Sequence, residues 1–414
     1  MVEEFLALFQ TSLNGGVLSF ALEALPLILA VLFTAVMLGI RLNFLRRTWI
    51  QEQGGTLLEL RLPRDVHRSP ESMEFVLNGL WENVTGSYAD VYLKGRVRDW
   101  FSLEIVSHGG DVRFYIWCLP KWKDIVKTRI YAQYPGAEVY EVEDYARDVV
   151  FDYDNMKLSG TQWGLVKDDV YPMKSYIDFE LHKTGQDEEQ KVDPLNPVIE
   201  FLGSLKPGQH VWIQILIQAH ATQSLDNAYV FTRPDYTKAV KEEIKKMIAK
   251  ESVVKTKDDA PSTLLGLTQD QTDTIKAMER NAGKLAYDTM IRMIYFGNKD
   301  VYDGSNTMGL IGSFRQFASK NMNGLRPKWF AGFAHPWQDF MDRKQRYNQR
   351  SLIDSYKRRS FFNVPYKNWK SKPFVMSVEE LATVYHIPSY AAAAAPALQR
   401  VPSKKSEAPS NLPI

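Results

Sequence analysis

Between Met341 and Lys372 the chain gathers Arg343, Lys344, Arg346, Arg350, Lys357, Arg358, Arg359, Lys367, Lys370 and Lys372 against only Asp342 and Asp354. That surplus of eight positive charges sits in a 414-residue chain with a formal net charge of +2, so the remainder is acidic by six. Tyr347, Tyr356, Phe361, Phe362, Tyr366 and Trp369 are interleaved with the cations. Arg and Lys can hold phosphates while aromatic rings stack on bases, which points to single-stranded nucleic acid. An anionic membrane surface would be attracted by the same charges, as would an acidic protein partner. Arg343, Lys344, Arg346, Arg350, Lys357, Arg358, Arg359 and Trp369 are therefore the expected contacts to a polyanion or partner. The plainer alternative is a solvated helix face whose aromatics turn inward.

Catalytic signatures are missing. A phosphate-cradling loop needs a glycine-rich turn ending in Gly-Lys-Ser/Thr, and the nearest glycine-rich stretch, Gly304 to Gly312, has no lysine. There is no His-Glu-x-x-His zinc motif and no Gly-x-Ser-x-Gly elbow. None of His67, His108, His182, His210, His220, His335 and His386 stands four residues from another, so each reads as a surface or strand-end histidine. Asp144, Asp148, Asp152 and Asp154 read as solvated loop acids. The single cysteine, Cys118, excludes an intrachain disulfide and a cysteine-based zinc cage, and its apolar neighbours make it a buried strand residue. No catalytic residue, cofactor or metal is expected.

The elements that carry these residues begin with an anchor. Val17 to Ile40 is apolar except for Ser19, Glu23 and Thr34, and about 20 helical residues span ~30 Å of hydrocarbon. A cleaved signal peptide needs a basic start and a small-residue cleavage site. Here the early charges are Glu3 and Glu4, and the first cation is Arg41. Arg41, Arg46 and Arg47 follow the span with no Lys or Arg before it, so the positive-inside rule directs residues 41–414 to the cytoplasm and the N-terminus outside. Arg41, Arg46, Arg47 and Trp49 are the expected membrane-interface residues.

After a linker at 51–55, Leu57 to Leu62 alternates as a strand, and Ser69-Pro70-Glu71 opens a helix to about Trp81. Phe101 to Val106 and Val112 to Trp117 form a hairpin across Gly109-Gly110. A helix from Pro120 to about Tyr134 and a strand over 137–142 complete β-α-β-β-α-β, the order of a ferredoxin-like sandwich. A looser second unit reads as a strand at Tyr171–Phe179, a helix from Asp193 through Leu205 and a strand at Val211–Ala219. A strand at Tyr287–Phe296 and a helix at Gly309–Ser319 follow. Two helices within Tyr236–Asn281 interrupt it. The expected fold is α+β: a transmembrane helix, two ferredoxin-like units, and a helical then extended tail. The expected divisions are 1–50 anchor, 51–150 first unit, 151–333 second unit with its insertion at about 236–281, 334–390 basic aromatic helix and extended segment, and 391–414 Ala/Pro/Ser tail.

The run Phe374-Val375-Met376-Ser377-Val378-Glu379-Glu380-Leu381-Ala382-Thr383-Val384-Tyr385-His386-Ile387-Pro388 resembles a stretch of membrane-anchored DNA-translocating ATPases of conjugation and type IV secretion. There it lies just before the motor domain. Similar pieces are Ala132-Gln133-Tyr134-Pro135-Gly136-Ala137-Glu138, Gly309 to Phe317, Ser355 to Phe362, and Ala408 to Pro413. The resemblance implies an anchor and α+β domains that serve a DNA pump in a bacterial inner membrane. The chain stops at Ile414, where the motor would begin, so no residue here inherits ATPase activity. The expectation is a non-enzymatic scaffold that docks a separately encoded P-loop ATPase on the lipid bilayer. DNA contact and self-association stand as further partners, and a membrane-tethered nucleic-acid-binding protein without a motor is the alternative.

Overall fold

Alternating and apolar runs write most of the strands, and proline or glycine marks most of their ends. The computed structural model describes residues 2–61, 68–183, 192–221, 235–252, 267–333, 337, 339–363, 365–366 and 370–388, with side chains from residue 24 onward except 250–252 and 340. Trp369 and the 391–414 tail lie outside the described residues. In chain order the elements are α1 (Val2–Gln53), β1 (Thr56–Arg61), α2 (Glu71–Asn78), α3 (Tyr88–Tyr92), β2 (Phe101–His108) and β3 (Asp111–Cys118). Then come α4 (Lys123–Gln133), β4 (Glu138–Val142), β5 (Met156–Leu165), α5 (Asn196–Gly203), β6 (Gln209–Ala219), α6 (Tyr236–Ser252) and α7 (Gln269–Ala282). The last are β7 (Ala286–Asn298), α8 (Ser305–Gly312), β8 (Leu325–Phe330), α9 (Arg343–Lys357), β9 (Phe374–Ser377) and α10 (Val378–Val384).

Two compact units result: Met1–Glu52 with Gly86–Val97, and Gln53–Thr85 with Arg98–Ile414. The first is built on α1, whose Ala24–Gln53 part is long and apolar enough to cross a membrane, with a mean hydropathy of 2.3 in its apolar stretch. Its one described hydroxyl in the apolar stretch, on Thr34, donates to the Ala30 carbonyl at 2.8 Å and so is satisfied within the helix. The Gly86–Val97 segment closes on the later part of α1. A Cβ on Gly95, whose φ is +72°, would lie 2.6 Å from the Arg46 backbone nitrogen and nearer still to Leu45, so only glycine permits this approach.

The second unit holds one antiparallel sheet in the order β4-β1-β3-β2-β6-β7-β5-β8, with β9 on the first residues of β7. Residues 51–150 and 151–333 thus share a single sheet. β4-β1-β3-β2 and β8-β5-β7-β6 have the same neighbour order, and the halves meet where Phe101–His108 pairs with Ile217–His210. One face is apolar. Leu58, Ile116, Leu103, Ile215 and Ile291 lie in one row, and α2, α4, α5, α8 and α10 add Met73, Ile130, Ile199, Leu310 and Leu381 to the same core. At ~25 cal/mol per Å², such burial is the main stabilising contribution. Cys118 is buried here, as its neighbours imply, and burial pushes its thiol up to about 12.

Several elements depart from the sequence reading. Tyr171–Phe179 is irregular and passes into turns from Tyr176, because side chains capture its backbone donors: Met173 N–H goes to Glu380, Ser175 N–H to Asp178 and Tyr176 N–H to Thr383. The strand expected there is instead β5, at Met156–Leu165, whose Ser, Gly, Thr and Gln hide it from an apolar count. β8 was also unforeseen, since Pro327 argues against a strand except at a sheet edge, which is where it lies. The helix expected from Ala334 starts only at Arg343, because Met341 and Asp342 adopt left-handed φ of +59° and +55°. Asp339 accepts the N–H groups of Lys344 and Gln345 at 3.0 and 2.6 Å and so fixes that later start.

Candidate functional site

Across the second face, register aligns Tyr140, Glu59, Tyr115, Glu104, Gln214, Arg292, Gln162 and Trp329, one from each of eight strands. Alternation alone puts these polar residues on one face, and the basic segment covers their middle. Gln349 of α9 donates to the Leu158 carbonyl at 3.0 Å, and Leu352 fills the space left by the missing side chain of Gly160. Asn348, Gln349, Leu352 and Tyr356 are the buried residues of α9.

Arg359, just beyond α9, is buried rather than displayed. Its Nε donates to Glu104 at 2.8 Å, and its Nη1 donates to Asp144 at 2.6 Å. Burial alone would lower the guanidinium, but Glu104 and Asp144 outweigh it and raise it further. Asp144 is therefore no solvated loop acid, since its loop folds back to cap a buried cation. Glu104 also accepts from Ser102, Gln214 and Tyr145 at 2.6, 2.9 and 2.7 Å. Burial, then the Glu104 carboxylate, lifts the Tyr145 and Tyr356 hydroxyls well above the usual phenol range, so they stay protonated. Arg292 donates to the Ser360 carbonyl at 2.9 Å, while its Nε and Nη1 have no hydrogen-bond partner among the described residues, and burial pulls it down to about 9. Removing one side of a buried ion pair costs on the order of 3–5 kcal/mol, so this cluster pins α9 to the sheet.

The remaining cations divide clearly. Lys357 donates to the Arg147 and Val149 carbonyls, and Arg358 pairs with Asp354 at 2.9 Å. Arg343, Lys344, Arg346 and Arg350 are exposed and make no ion pair with the described residues. Arg343, Arg346, Tyr347 and Arg350 follow i, i+3, i+4, i+7 and form one outward stripe. Trp337, which precedes it, is 80% exposed, and Met341 and Tyr347 are exposed too. In the other unit Arg41 and Arg47 are exposed, Trp49 is half-buried and Arg46 is buried.

Sequence spacing could not show what cross-strand pairing assembles. His108 and His210 sit opposite each other with Nδ1 atoms 3.1 Å apart. Burial, then the neighbouring His210, lowers His108 to about 4, and burial lowers His210. His386 is a core residue between Asp193 and the Ala382 carbonyl. Among the described residues, no group of three or more His, Cys, Asp or Glu side chains could hold a metal ion.

The fold and site define an α+β protein with an N-terminal helix of membrane-spanning length, and a basic helix clamped across the polar face of an antiparallel sheet. Residues 42–398 match the family described as a domain of unknown function (DUF8128), and the chain belongs to that family. No curated protein matches the chain.

Proposed function

We propose that this is a membrane-anchored, non-enzymatic scaffold that uses α9 to dock an acidic face of a separately encoded DNA-translocation ATPase. In this reading α1 spans a bacterial inner membrane with its N-terminus outside, and the α+β part is cytoplasmic and built as two ferredoxin-like units. The observation that carries it is the outward stripe of Arg343, Arg346, Tyr347 and Arg350 beside exposed Trp337 and Met341. Arg, Tyr, Trp and Met are the residue types enriched at protein–protein interfaces, where a few such anchors supply most of the binding energy. The resemblance of Phe374–Pro388 to secretion-type motors points to the class of partner.

The full-length protein in detergent, incubated with the purified P-loop ATPase of its own secretion locus, tests the reading. Wild type should capture the ATPase, and an Arg343→Ala/Arg346→Ala/Arg350→Ala variant should bind at least about tenfold more weakly, a loss of 1.4 kcal/mol or more. Single-stranded DNA binding that falls steeply with salt, and flattens in the same variant, would favour the motor-less DNA-binding alternative instead. Identical behaviour of wild type and variant toward both would leave α9 an ordinary solvated face.

A further inference from the structure

We propose that Gly86–Val97 is an interfacial collar: a chain segment remote from the anchor in sequence that folds onto it and lies among the lipid headgroups. This rests on the reading of α1 as a membrane span. From Ala24 to Ile40 α1 carries no charge, and Arg41 marks where hydrocarbon must end. Gly95 meets α1 at Leu45 and Arg46, about five residues further. At 1.5 Å rise per residue that is roughly 7–8 Å above the hydrocarbon edge. The headgroup layer of one leaflet is roughly 5–8 Å deep, so the contact falls inside it.

The composition of the collar suits that layer. Ser87 and Asp90 close a capping box, with Ser87 N–H donating to Asp90 at 3.1 Å and Asp90 N–H donating to Ser87 at 3.2 Å. Two of the N–H groups at the start of the short helix α3 are thereby satisfied. Lys94 pairs with Asp90 at 2.8 Å, which removes the one acid that would repel phosphates. Val91, Gly95 and Val97 turn inward, whereas Tyr88 and Leu93 are 64% and 61% exposed. Exposed Phe44 belongs to the same level of α1, and Arg41 and Arg47 are exposed cations there. Aromatic rings with an amphipathic ring system settle at the headgroup boundary, and cations there meet phosphates. The occupant of this surface is accordingly the anionic headgroup layer, and the collar sets the depth of the anchor.

Cys118 is the only cysteine and is buried, so single cysteines can be labelled selectively. An environment-sensitive fluorophore is placed at Tyr88→Cys, Leu93→Cys, Leu32→Cys or Lys238→Cys in the full-length protein. The host is a phosphatidylcholine–phosphatidylglycerol nanodisc, with spin-label quenchers either on the headgroup or on the acyl chain. The collar positions should be quenched most by the headgroup label, Leu32 by the acyl label, and Lys238 by neither. If Leu32 responds to the acyl label while both collar positions behave like Lys238, the collar lies in water and the proposal fails with the span intact. If Leu32 responds to neither label, the membrane reading fails and the collar with it. Adding Gly95→Val should move both collar signals toward that of Lys238 and leave Leu32 unchanged; collar signals that stay at headgroup depth would overturn the role of the Gly95 contact.

Discussion

At the scale of single residues, two adjacent glutamates titrate in opposite directions. Burial raises Glu379, but Ser175, Lys284 and Arg280 more than reverse it, leaving its carboxyl below the usual range. Glu380 is raised to about 7, first by burial, against the Met173 and Ser377 N–H groups that favour its ionised form. A carboxyl raised on folding stabilises most when protonated, below its unfolded pKa near 4.5. That contribution fades as pH rises and is gone above about 7. Thermal stability should therefore decline between about pH 5 and 8 through this residue, by at most on the order of 3 kcal/mol. Glu380→Gln should flatten that slope: it should be less stable than wild type at low pH through one mismatched N–H, and the gap should close as pH rises. A melting-temperature series in which wild type and Glu380→Gln share the same slope would reject this account.

At the scale of elements, α9 depends on a residue it does not contain. Gly160 leaves the room that Leu352 occupies. Gly160→Val should force α9 off β5, costing about 1–3 kcal/mol as overpacked sites do, and should weaken ATPase capture. Adding Leu352→Ala should recover part of both losses, since the smaller side chain vacates the contested space. A double variant no better than Gly160→Val alone would mean that the two side chains do not meet. The same elements show how much the sequence discloses. β2, β3, β6 and β7 were legible because their apolar runs are long, and the hairpin because Gly109-Gly110 supplies two positive φ angles. The outward stripe of α9 was legible as charge. Arg359 was not, because nothing in its neighbourhood reveals that Glu104, 255 positions earlier, lies opposite it. β5 escaped for a similar reason, since pairing with β7 and β8 rather than local propensity decides it, whereas the true start of α9 rests on a local backbone turn at Met341 and Asp342 that composition does not announce.

At the scale of the whole molecule, the proposed span of α1 carries a prediction about sidedness. With the positive-inside bias of Arg41, Arg46 and Arg47, cysteines at exposed Val150 and Lys238 should resist an impermeant maleimide in intact cells and react once the membrane is permeabilised. Reaction in intact cells would invert the topology while leaving the span in place. The sheet carries its own safeguard at this scale, and it lies in the row from Tyr140 to Trp329. On the apolar face, β6 offers Val211, Ile213, Ile215 and Ile217 in succession, side chains so alike that a two-residue slip against β2 or β7 would still bury hydrocarbon. The other face does not forgive such a slip. Sliding β6 by two residues would take the Gln214 amide from Glu104 and the Tyr356 carbonyl and set Trp212 or Leu216 in its place, leaving both buried acceptors short of a donor. Each orphaned group costs on the order of 1–3 kcal/mol, so the polar row works as a key that admits one alignment of the two halves where the greasy face would admit several.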